Sequence, residues 1–280
     1  MPDRRPAPPG ASLMVVLAAF AAAGAEAQAP PVGAGGGPVP PAPADGPPAQ
    51  WFASVAYQRE FIDSDLPQWE DWSLAQALVL RDFAAGALGV ELFRAGRFRT
   101  HDEGFAVDGY RNLWAGAYAN VRVRVTPDAD LLPSVDGRGE LFQSLPGGWE
   151  VSGSYWVMDF DRHDVQVAGA GVAHYRGNWY LRQTATLSRL AGESSLATAV
   201  TARRFLAGAR EFVEVAGGLG REAVILGEGP RVESRDTGFV QGRVQRFLTP
   251  RWGLTGAVSY NRFEGTPGRL GVTLGLLARF

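Results

Sequence analysis

Three histidines are the only side chains that ordinarily titrate near neutral pH in this 280-residue chain, which has no cysteine. His101-Asp102 and His163-Asp164 fall in predicted connections between strands. In a hydrolase, one of these histidines would activate a serine, and an acid would orient the ring. The spacing does not select a serine, so solvated loop histidines are the simpler interpretation. A rim-located lipid or acyl hydrolase remains the alternative function, and we predict no catalytic residue.

His174 is predicted to lie on the polar face of its strand, near one end. A hydrogen-bonding role inside the fold is favoured over metal binding, because no second ligand is spaced with it. The absence of cysteine excludes a disulfide framework, a cysteine-ligated zinc site and a lipid-modified N-terminal cysteine. We therefore predict neither a metal nor a cofactor.

Ten charged residues lie on the polar faces of segments that alternate between apolar and polar residues. They are Glu91, Asp108, Arg122, Arg124, Glu140, Glu150, Arg182, Arg203, Glu214 and Arg243. If these segments are membrane strands, the charges must face the lumen, since a charge facing lipid costs a few kcal/mol. They would then form either an internal salt-bridge network or a charge-lined path for small polar or sugar-like solutes. The mixture of acids and arginines favours the network.

The elements that carry these charges show a period of two residues. From Trp252 to Tyr260, for example, Trp252, Leu254 and Val258 alternate with small or polar residues. About 14 such segments follow residue 50, at 51–60, 72–82, 86–99, 103–111, 114–126, 135–144, 149–159, 164–175, 178–190, 194–206, 210–222, 235–248, 251–263 and 268–280. All seven prolines beyond residue 50 fall between segments, which supports the map because proline cannot donate to a strand ladder.

Segment length separates a membrane barrel from a soluble β-sandwich. Most segments have 9–14 residues, enough to cross a bilayer when tilted, whereas soluble strands average about five or six. No window after residue 50 holds 18 uncharged apolar residues, so no transmembrane helix is expected. Residues 51–280 are therefore predicted to form an all-β, closed antiparallel transmembrane β-barrel of about 14 strands, with 12 to 16 possible.

Aromatic residues are predicted to form girdles at the two membrane interfaces. Trp51, Trp114, Trp149, Trp179 and Trp252 stand at the starts of odd-numbered segments, and Tyr57, Tyr155 and Tyr260 come six to nine residues later. Connections at 145–148, 176–178 and 249–251 are short, whereas those near 61–71, 127–134 and 223–234 are longer. This difference favours an orientation with both ends of the barrel at the periplasmic side. Phe280 resembles the terminal aromatic signal read by the barrel-assembly machinery of Gram-negative bacteria.

The first fifty residues have a different composition. Residues 1–27 combine Arg4 and Arg5, a short apolar stretch and the small residues Ala25 and Ala27, which is typical of a secretory signal peptide. Residues 28–50 are rich in Pro, Ala and Gly and are predicted to be a disordered spacer. An uncleaved N-terminal anchor is the alternative for the first segment. Both interpretations imply export from the cytoplasm.

The charge balance limits the partners of the protein. A formal net charge of −2 argues against nucleic-acid binding, which requires a basic surplus. The expected partners are outer-membrane lipid, lipopolysaccharide and the barrel-assembly machinery, with a monomer favoured. The expected location is the outer membrane of a Gram-negative bacterium.

The body of the chain resembles the YaiO-type outer-membrane β-barrel family. The segments that carry the resemblance are 107–123, 127–133, 147–160, 171–182 and 201–220. These motifs are strand starts, turns and rim aromatics, and the resemblance implies no catalytic residues. Some members of the family carry helical repeats before the barrel, where this chain has the Pro-rich spacer. The resemblance implies a porin-like small channel, or a structural or binding barrel of the cell envelope, with surface polysaccharide as one possible context.

Overall fold

The computed structural model of the protein describes residues 50–63, 71–97, 100–160, 163–208, 210–225 and 232–280, without the side chains of 223–225 and 232–233. The predicted signal peptide, 1–27, and all but the last residue of the predicted spacer, 28–50, lie outside the described residues. Among the described residues, no helix is long and apolar enough to cross a membrane.

Fourteen strands account for most of the described chain. They are β1 (Trp51–Ile62), β2 (Trp72–Phe83), β3 (Gly86–Arg97), β4 (Thr100–Trp114), β5 (Ala117–Val125), β6 (Val135–Leu145), β7 (Trp149–Phe160), β8 (His163–Arg176), β9 (Trp179–Leu190), β10 (Glu193–Phe205), β11 (Phe212–Ile225), β12 (Val232–Phe247), β13 (Trp252–Phe263) and β14 (Arg269–Arg279). Each strand pairs antiparallel with its neighbours in sequence, and β1 pairs with β14. The predicted closed barrel is therefore confirmed, with 14 strands.

The predicted start of the fifth strand at Trp114 is wrong. This residue ends β4 instead of starting β5, because the register between the two strands shifts at Asn112 and Trp114 and lengthens β4 at that end. Trp114 still lies beside the β4–β5 turn, and its side chain is exposed. A local irregularity of this kind leaves no period-two signature in the sequence.

We call the barrel end that carries Trp51 and Phe280 the terminal rim, and the other end the opposite rim. Trp51 and Phe280 exchange backbone hydrogen bonds of 2.8 and 3.0 Å at the seam of the barrel. Short turns join the strands at the terminal rim, for example at Gly147 and Gly148, whose φ angles of 78° and 82° favour glycine. The longer connections, including 126–134, lie at the opposite rim.

The two faces of the wall have different chemistry. Large apolar side chains on the outer face are exposed, for example Val90, Val121 and Leu274. The residues between them face the barrel interior, so the charged and polar side chains of the strands meet inside. The outer face of this barrel suits contact with lipid.

Candidate functional site

The ten charged residues named above lie at interior positions of their strands. Five are carboxylates, Glu91, Asp108, Glu140, Glu150 and Glu214, and five are arginines, Arg122, Arg124, Arg182, Arg203 and Arg243. Their formal charges sum to zero, five negative against five positive. Most of them take part in three groups of contacts.

The first group joins β3, β4 and β5. The Arg122 guanidinium lies 3.0 Å from the Glu91 carboxylate and 3.7 Å from that of Asp108. Asn120 donates a 2.6 Å hydrogen bond to Asp108, and Gln76 of β2 donates to Glu91 at 3.4 Å. Glu91 and Arg122 are both buried, so each charge depends on its partners for stabilisation.

The second group extends over β5 to β9. Arg124 pairs with Asp136 at 2.5 Å, and the Trp156 indole donates to the same carboxylate at 3.1 Å. Arg182 of β9 forms a salt bridge with Glu140 of β6 and donates to Ser152 of β7 at 2.9 Å.

Small residues on β7 and β8 make room for the Arg182 side chain as it crosses to β6. A Cβ atom at Gly171 would lie 2.7 Å from the Ser152 hydroxyl and 3.1 Å from the Arg182 guanidinium. A larger residue at position 171 would therefore displace the hydroxyl or the guanidinium. The glycine is part of the arrangement that lets one arginine span three strand-to-strand steps.

The third group joins β10, β11 and β12. Arg203 donates to Glu214 at 2.8 Å, and both side chains are almost fully buried. Arg243 is the cross-strand neighbour of Glu214 on the other side. The guanidiniums of Arg203 and Arg243 also lie 4.0 and 5.5 Å from the Phe212 ring centroid, which adds cation–π contacts.

A buried apolar cluster fills the interior near the terminal rim. It consists of Phe52, Leu80, Ala87, Tyr110, Tyr118, Phe142, Phe247 and Leu277. The rings of Tyr118 and Phe142 stack with centroids 4.4 Å apart, and the Tyr118 hydroxyl donates to Glu150 at 3.2 Å. These side chains come from both sides of the barrel and meet across its end.

The β10–β11 turn, described at residues 206–208, 210 and 211, adds a charged contact at the same end. Arg210 donates to both Asp82 carboxylate oxygens of β2, at 2.8 and 2.6 Å, and its guanidinium lies 4.7 Å from the Phe52 ring centroid. Glu211 accepts a 2.8 Å hydrogen bond from the Phe247 backbone. The turn therefore bends over the barrel opening and is held there from both sides.

A second inward-folded connection lies at the opposite rim. Asp102 of β4 accepts hydrogen bonds from the backbone N–H groups of Asp130, Leu131 and Leu132, at 3.1, 2.9 and 2.7 Å. Leu132 packs with Phe93 and Ala95 in a small apolar cluster. One buried carboxylate thus holds the β5–β6 connection against the inner wall.

An indole between two guanidiniums lies near the same rim. The ring of Trp72 is buried, and the guanidiniums of Arg97 and Arg269 lie 4.2 and 4.3 Å from its centroid. Arg269 also pairs with Glu60 at 3.4 Å. These contacts tie β1, β2, β3 and β14 together across the seam.

The remaining interior surface is mostly neutral. Half-buried side chains face inward at mid-height on β9, β10, β12, β13 and β14, and we call them the neutral wall: Thr184, Thr186, Ser188, Thr201, Gln241, Thr255, Ser259 and Thr273. By contrast, interior residues near the two ends of these strands, such as Leu190 and Phe247, are buried. The neutral wall therefore contributes partly accessible interior surface between the two buried ends of the barrel.

Two of the three histidines, His101 and His174, lie on the outer face. The expectation that His174 faces the inside is wrong, because the buried Val165 and Ala173 put the odd-numbered positions of β8 inward. His174 instead packs on the outer Trp149 ring, at 4.5 Å, and its Nε2 contacts the Gly147 carbonyl at 3.2 Å. The expectation that His101 and His163 lie in connections is wrong, because β4 begins at Thr100 and β8 begins at His163. His101 is exposed on the outer face of β4, whereas His163 occupies an inward position and stacks on Phe160.

The rim aromatics are exposed on the outer face. Trp51, Trp114, Trp149, Trp179 and Trp252 lie at the terminal rim, and Tyr57, Tyr155 and Tyr260 lie in the halves of their strands nearer the opposite rim. The Tyr155 hydroxyl donates to Gln166 at 3.0 Å, and the Trp114 indole donates to Gln143 at 2.9 Å. The Phe280 side chain is also exposed.

Comparison with protein families decides the identity. The model of the YaiO membrane beta barrel domain matches residues 52–224, which is more than half of the chain. The chain belongs to the YaiO family. The match covers β1 to β10 and most of β11, and the resemblance seen in the sequence is confirmed. This YaiO barrel resides in the outer membrane of a Gram-negative cell, where barrels of this type are found.

Solved structures with the same fold include a channel and a secretin. The CymD monoaromatic hydrocarbon channel is 8% identical, with a TM-score of 0.53, and the match covers 83% of the YaiO barrel and 88% of that chain. A bacterial polysaccharide outer membrane secretin is 10% identical, with a TM-score of 0.51 and coverage of 83% and 98%. At such identities these likenesses show the fold alone. A comparison with curated proteins found no match.

Several contacts of the YaiO barrel were not predicted from its sequence. Asp136 and Trp72 occupy inward positions of alternating segments, so the same pattern that selected Glu140 could have selected them. Arg210 lies in a turn, where no periodicity indicates the direction of a side chain. Within the described parts of the chain, no group of three or more His, Asp or Glu residues could hold a metal ion.

Proposed function

We propose that the YaiO barrel is a narrow channel for small polar, sugar-like solutes, with a path along the neutral wall. The observation that carries this proposal is the division of the interior. At mid-height, paired charges such as Glu91 and Arg122 lie on β3 to β7, whereas half-buried hydroxyl and amide groups face inward from β9 to β14. The buried Arg203–Glu214 pair of β10 and β11 lies nearer the terminal rim. A 14-strand barrel is intermediate between eight-stranded barrels filled by side chains and porins of 16 or more strands with open aqueous channels.

The balance of charge supports a neutral solute. Five acids and five arginines cancel, and the three groups described above neutralise most of these charges locally. Such a lining offers no continuous stripe of one sign to select ions. Threonine and serine hydroxyls and the Gln241 amide can donate and accept hydrogen bonds, as a hydrated sugar requires.

Two inward-folded connections would control access to this path. The β10–β11 turn rests on Asp82 at the terminal rim, and the β5–β6 connection rests on Asp102 at the opposite rim. Each is attached to the inner wall by a few polar contacts, so release of either one costs less than strand separation. We propose that the structure corresponds to the closed state of the channel.

A permanently plugged structural or binding barrel is the second candidate. The buried cluster of Phe52, Tyr118, Phe142 and Phe247 favours it, because these side chains meet across the end of the interior. In that case, removal of the Arg210–Asp82 contact would not produce conductance. The two candidates therefore differ in a measurable property.

The proposal describes a non-enzymatic protein. A rim-located hydrolase would need a histidine that activates a serine. His101 is exposed on the outer face, and the rings of His163 and His174 pack on aromatic neighbours. Release of fatty acid from phospholipid by the wild type, lost in His163→Ala, would contradict this part of the proposal.

The remaining parts of the proposal concern biogenesis and assembly. We propose export by a signal peptide at 1–27, insertion by the barrel-assembly machinery with recognition of Phe280, contact with lipopolysaccharide at the opposite rim, and a monomeric state. Envelope polysaccharide is the proposed context of the solute.

Planar-bilayer and liposome-swelling measurements test the channel directly. The purified protein should give discrete conductance steps with weak preference between potassium and chloride, and liposomes that contain it should swell in a neutral pentose or hexose. Charge balance predicts a permeability ratio within about threefold of one. Swelling equal to that of empty liposomes in every sugar, for both wild type and Arg210→Ala, would favour the plugged barrel.

A further inference from the structure

Exposed arginines ring the outer face of the terminal rim. They lie near the ends of even-numbered strands or in the turn before β13: Arg81, Arg111, Arg176, Arg204, Arg246 and Arg251. Their positions bring six positive charges to one edge of a protein whose formal net charge is −2. The nearby carboxylates Asp82, Glu150 and Glu214 face the interior instead.

These arginines lie level with the tryptophans of the same rim. Arg81 is the cross-strand partner of Trp51, and its guanidinium lies 5.2 Å from the indole centroid. Trp179 has Arg176 and Arg204 as its partners on the two neighbouring strands, and Arg204 lies 5.7 Å from its ring. Exposed indoles of membrane barrels favour the headgroup region of the bilayer, so the guanidiniums reach the same depth.

Three outward-facing arginines at the opposite rim have carboxylate partners, whereas the exposed Arg189 and Arg262 form no salt bridge with a described carboxylate. Arg59 pairs with Asp71 at 3.0 Å, Arg94 with Glu103 at 3.1 Å and Arg221 with Asp236 at 3.4 Å. In the part of the chain that the structure describes, none of the six arginines at the terminal rim forms a salt bridge with a carboxylate. The positive charge of this rim is therefore available to an external anion.

We propose that the terminal-rim arginines bind the phosphate groups of anionic phospholipids in the periplasmic leaflet. The planar guanidinium presents paired donors that match two phosphate oxygens, and it is more weakly hydrated than a lysine ammonium. The adjacent indoles of Trp51 and Trp179 give the glycerol and upper acyl region an apolar surface. The ring thus forms a phospholipid-binding collar that orients the barrel, with the terminal rim toward the periplasm.

Native mass spectrometry tests this binding. The protein is reconstituted in bilayers that contain equal amounts of phosphatidylglycerol and phosphatidylcholine, and the lipids that stay bound to the purified protein are measured. The wild type should retain phosphatidylglycerol about tenfold over phosphatidylcholine, since each surface arginine contributes to attraction of anionic lipid. The triple variant R81Q/R176Q/R204Q should reduce that ratio to within about twofold of one. The matched control R59Q/R94Q/R221Q removes the same charge from the opposite rim and should keep the wild-type ratio.

Heat-modifiable migration checks that each variant is folded. If the triple variant does not fold, the single variants R81Q and R204Q replace it, and each should lower the retained phosphatidylglycerol. A wild type without preference, equal loss in the control, or unchanged retention in both single variants would overturn the proposal. Displacement of the phosphatidylglycerol by lipopolysaccharide in the wild type but not in R81Q/R176Q/R204Q would assign the terminal rim to the outer leaflet. That result would also overturn the proposal.

Discussion

Arg210 and Asp82 are 128 residues apart in the sequence, yet the guanidinium of one donates to both carboxylate oxygens of the other. Arg210 belongs to the β10–β11 turn and Asp82 to β2, so the contact crosses the opening of the barrel at the terminal rim. Both side chains are largely shielded from solvent. The contact therefore links two walls that the strand ladder alone does not bring together.

Replacing Arg210 with alanine should favour opening at the terminal rim. The variant loses both hydrogen bonds to Asp82 and the cation–π contact with Phe52. If these are together worth about 1.4 kcal/mol to the closed state, the ratio of open to closed channels rises about tenfold. Single-channel recordings measure this ratio as the open probability. Asp82→Asn should also raise the open probability.

Arg251→Ala provides the control, because Arg251 is an exposed arginine at the same rim. Its open probability should match that of the wild type. An equal rise in the open probability of Arg251→Ala would show that any loss of rim charge opens the channel. An unchanged open probability in Arg210→Ala would show that the β10–β11 turn does not close it.

Replacing Asp102 with alanine should release the β5–β6 connection at the opposite rim. Three backbone N–H groups lose their acceptor, and a buried hydrogen bond to a charged group is worth about 1.5–3 kcal/mol. Cleavage near residues 127–134 by a protease added outside liposomes should become at least about tenfold faster. Glu103→Ala, a change at the exposed neighbouring residue on the outer face, should leave the rate unchanged.

Replacing Arg182 with alanine should widen the passage between the charged groups and the neutral wall. The guanidinium extends from β9 to Glu140 on β6 and occupies interior space above Gly171. We expect a single-channel conductance roughly one and a half to two times that of the wild type, with a shift toward cation preference because Glu140 loses its counter-charge. Arg189→Ala removes an outward-facing arginine from the same strand and should change neither property.

Replacing Arg203 with leucine should lower stability strongly. Glu214 would remain buried with only Arg243 beside it, and removal of one partner from a buried ion pair costs about 3–5 kcal/mol. Arg204→Leu alters the exposed neighbour and should cost at most about 1 kcal/mol. Urea unfolding in liposomes, followed by gel migration, compares the two. Equal free energies of unfolding for Arg203→Leu and Arg204→Leu would show that the buried pair stabilises the barrel no more than the exposed arginine does.

The period of two residues made the barrel predictable because one side of every strand meets lipid and the other meets the interior. That alternation gave the 14 strands and put Glu91, Arg122 and Arg203 on polar faces from the sequence alone. It could not identify their partners, because a salt bridge between Arg182 and Glu140 depends on barrel closure and on the small residues of the strands between them.

Connections and strand ends were predicted less well. Arg210 and Asp102 act through a turn and through backbone N–H groups, and neither leaves a periodic signal. His174 was assigned to the wrong face because small and polar residues occupy both faces of the strand near its turn. The face that His174 occupies is instead set by its register with Trp149 on the neighbouring strand. The outer arginines can be read from the sequence. Only the strand register shows which residues lie beside them, and that no described carboxylate is their partner.

Cysteine accessibility along β9 tests the central claim that solutes pass along the neutral wall. The chain contains no native cysteine, so Thr186→Cys and Leu187→Cys introduce single thiols on the inner and outer faces. In an Arg210→Ala background, a cationic methanethiosulfonate reagent should reduce the conductance of Thr186→Cys by more than about half, because the modified side chain narrows the path. Leu187→Cys should be unaffected. Equal block of both variants, or no block of Thr186→Cys in a conducting channel, would contradict the account.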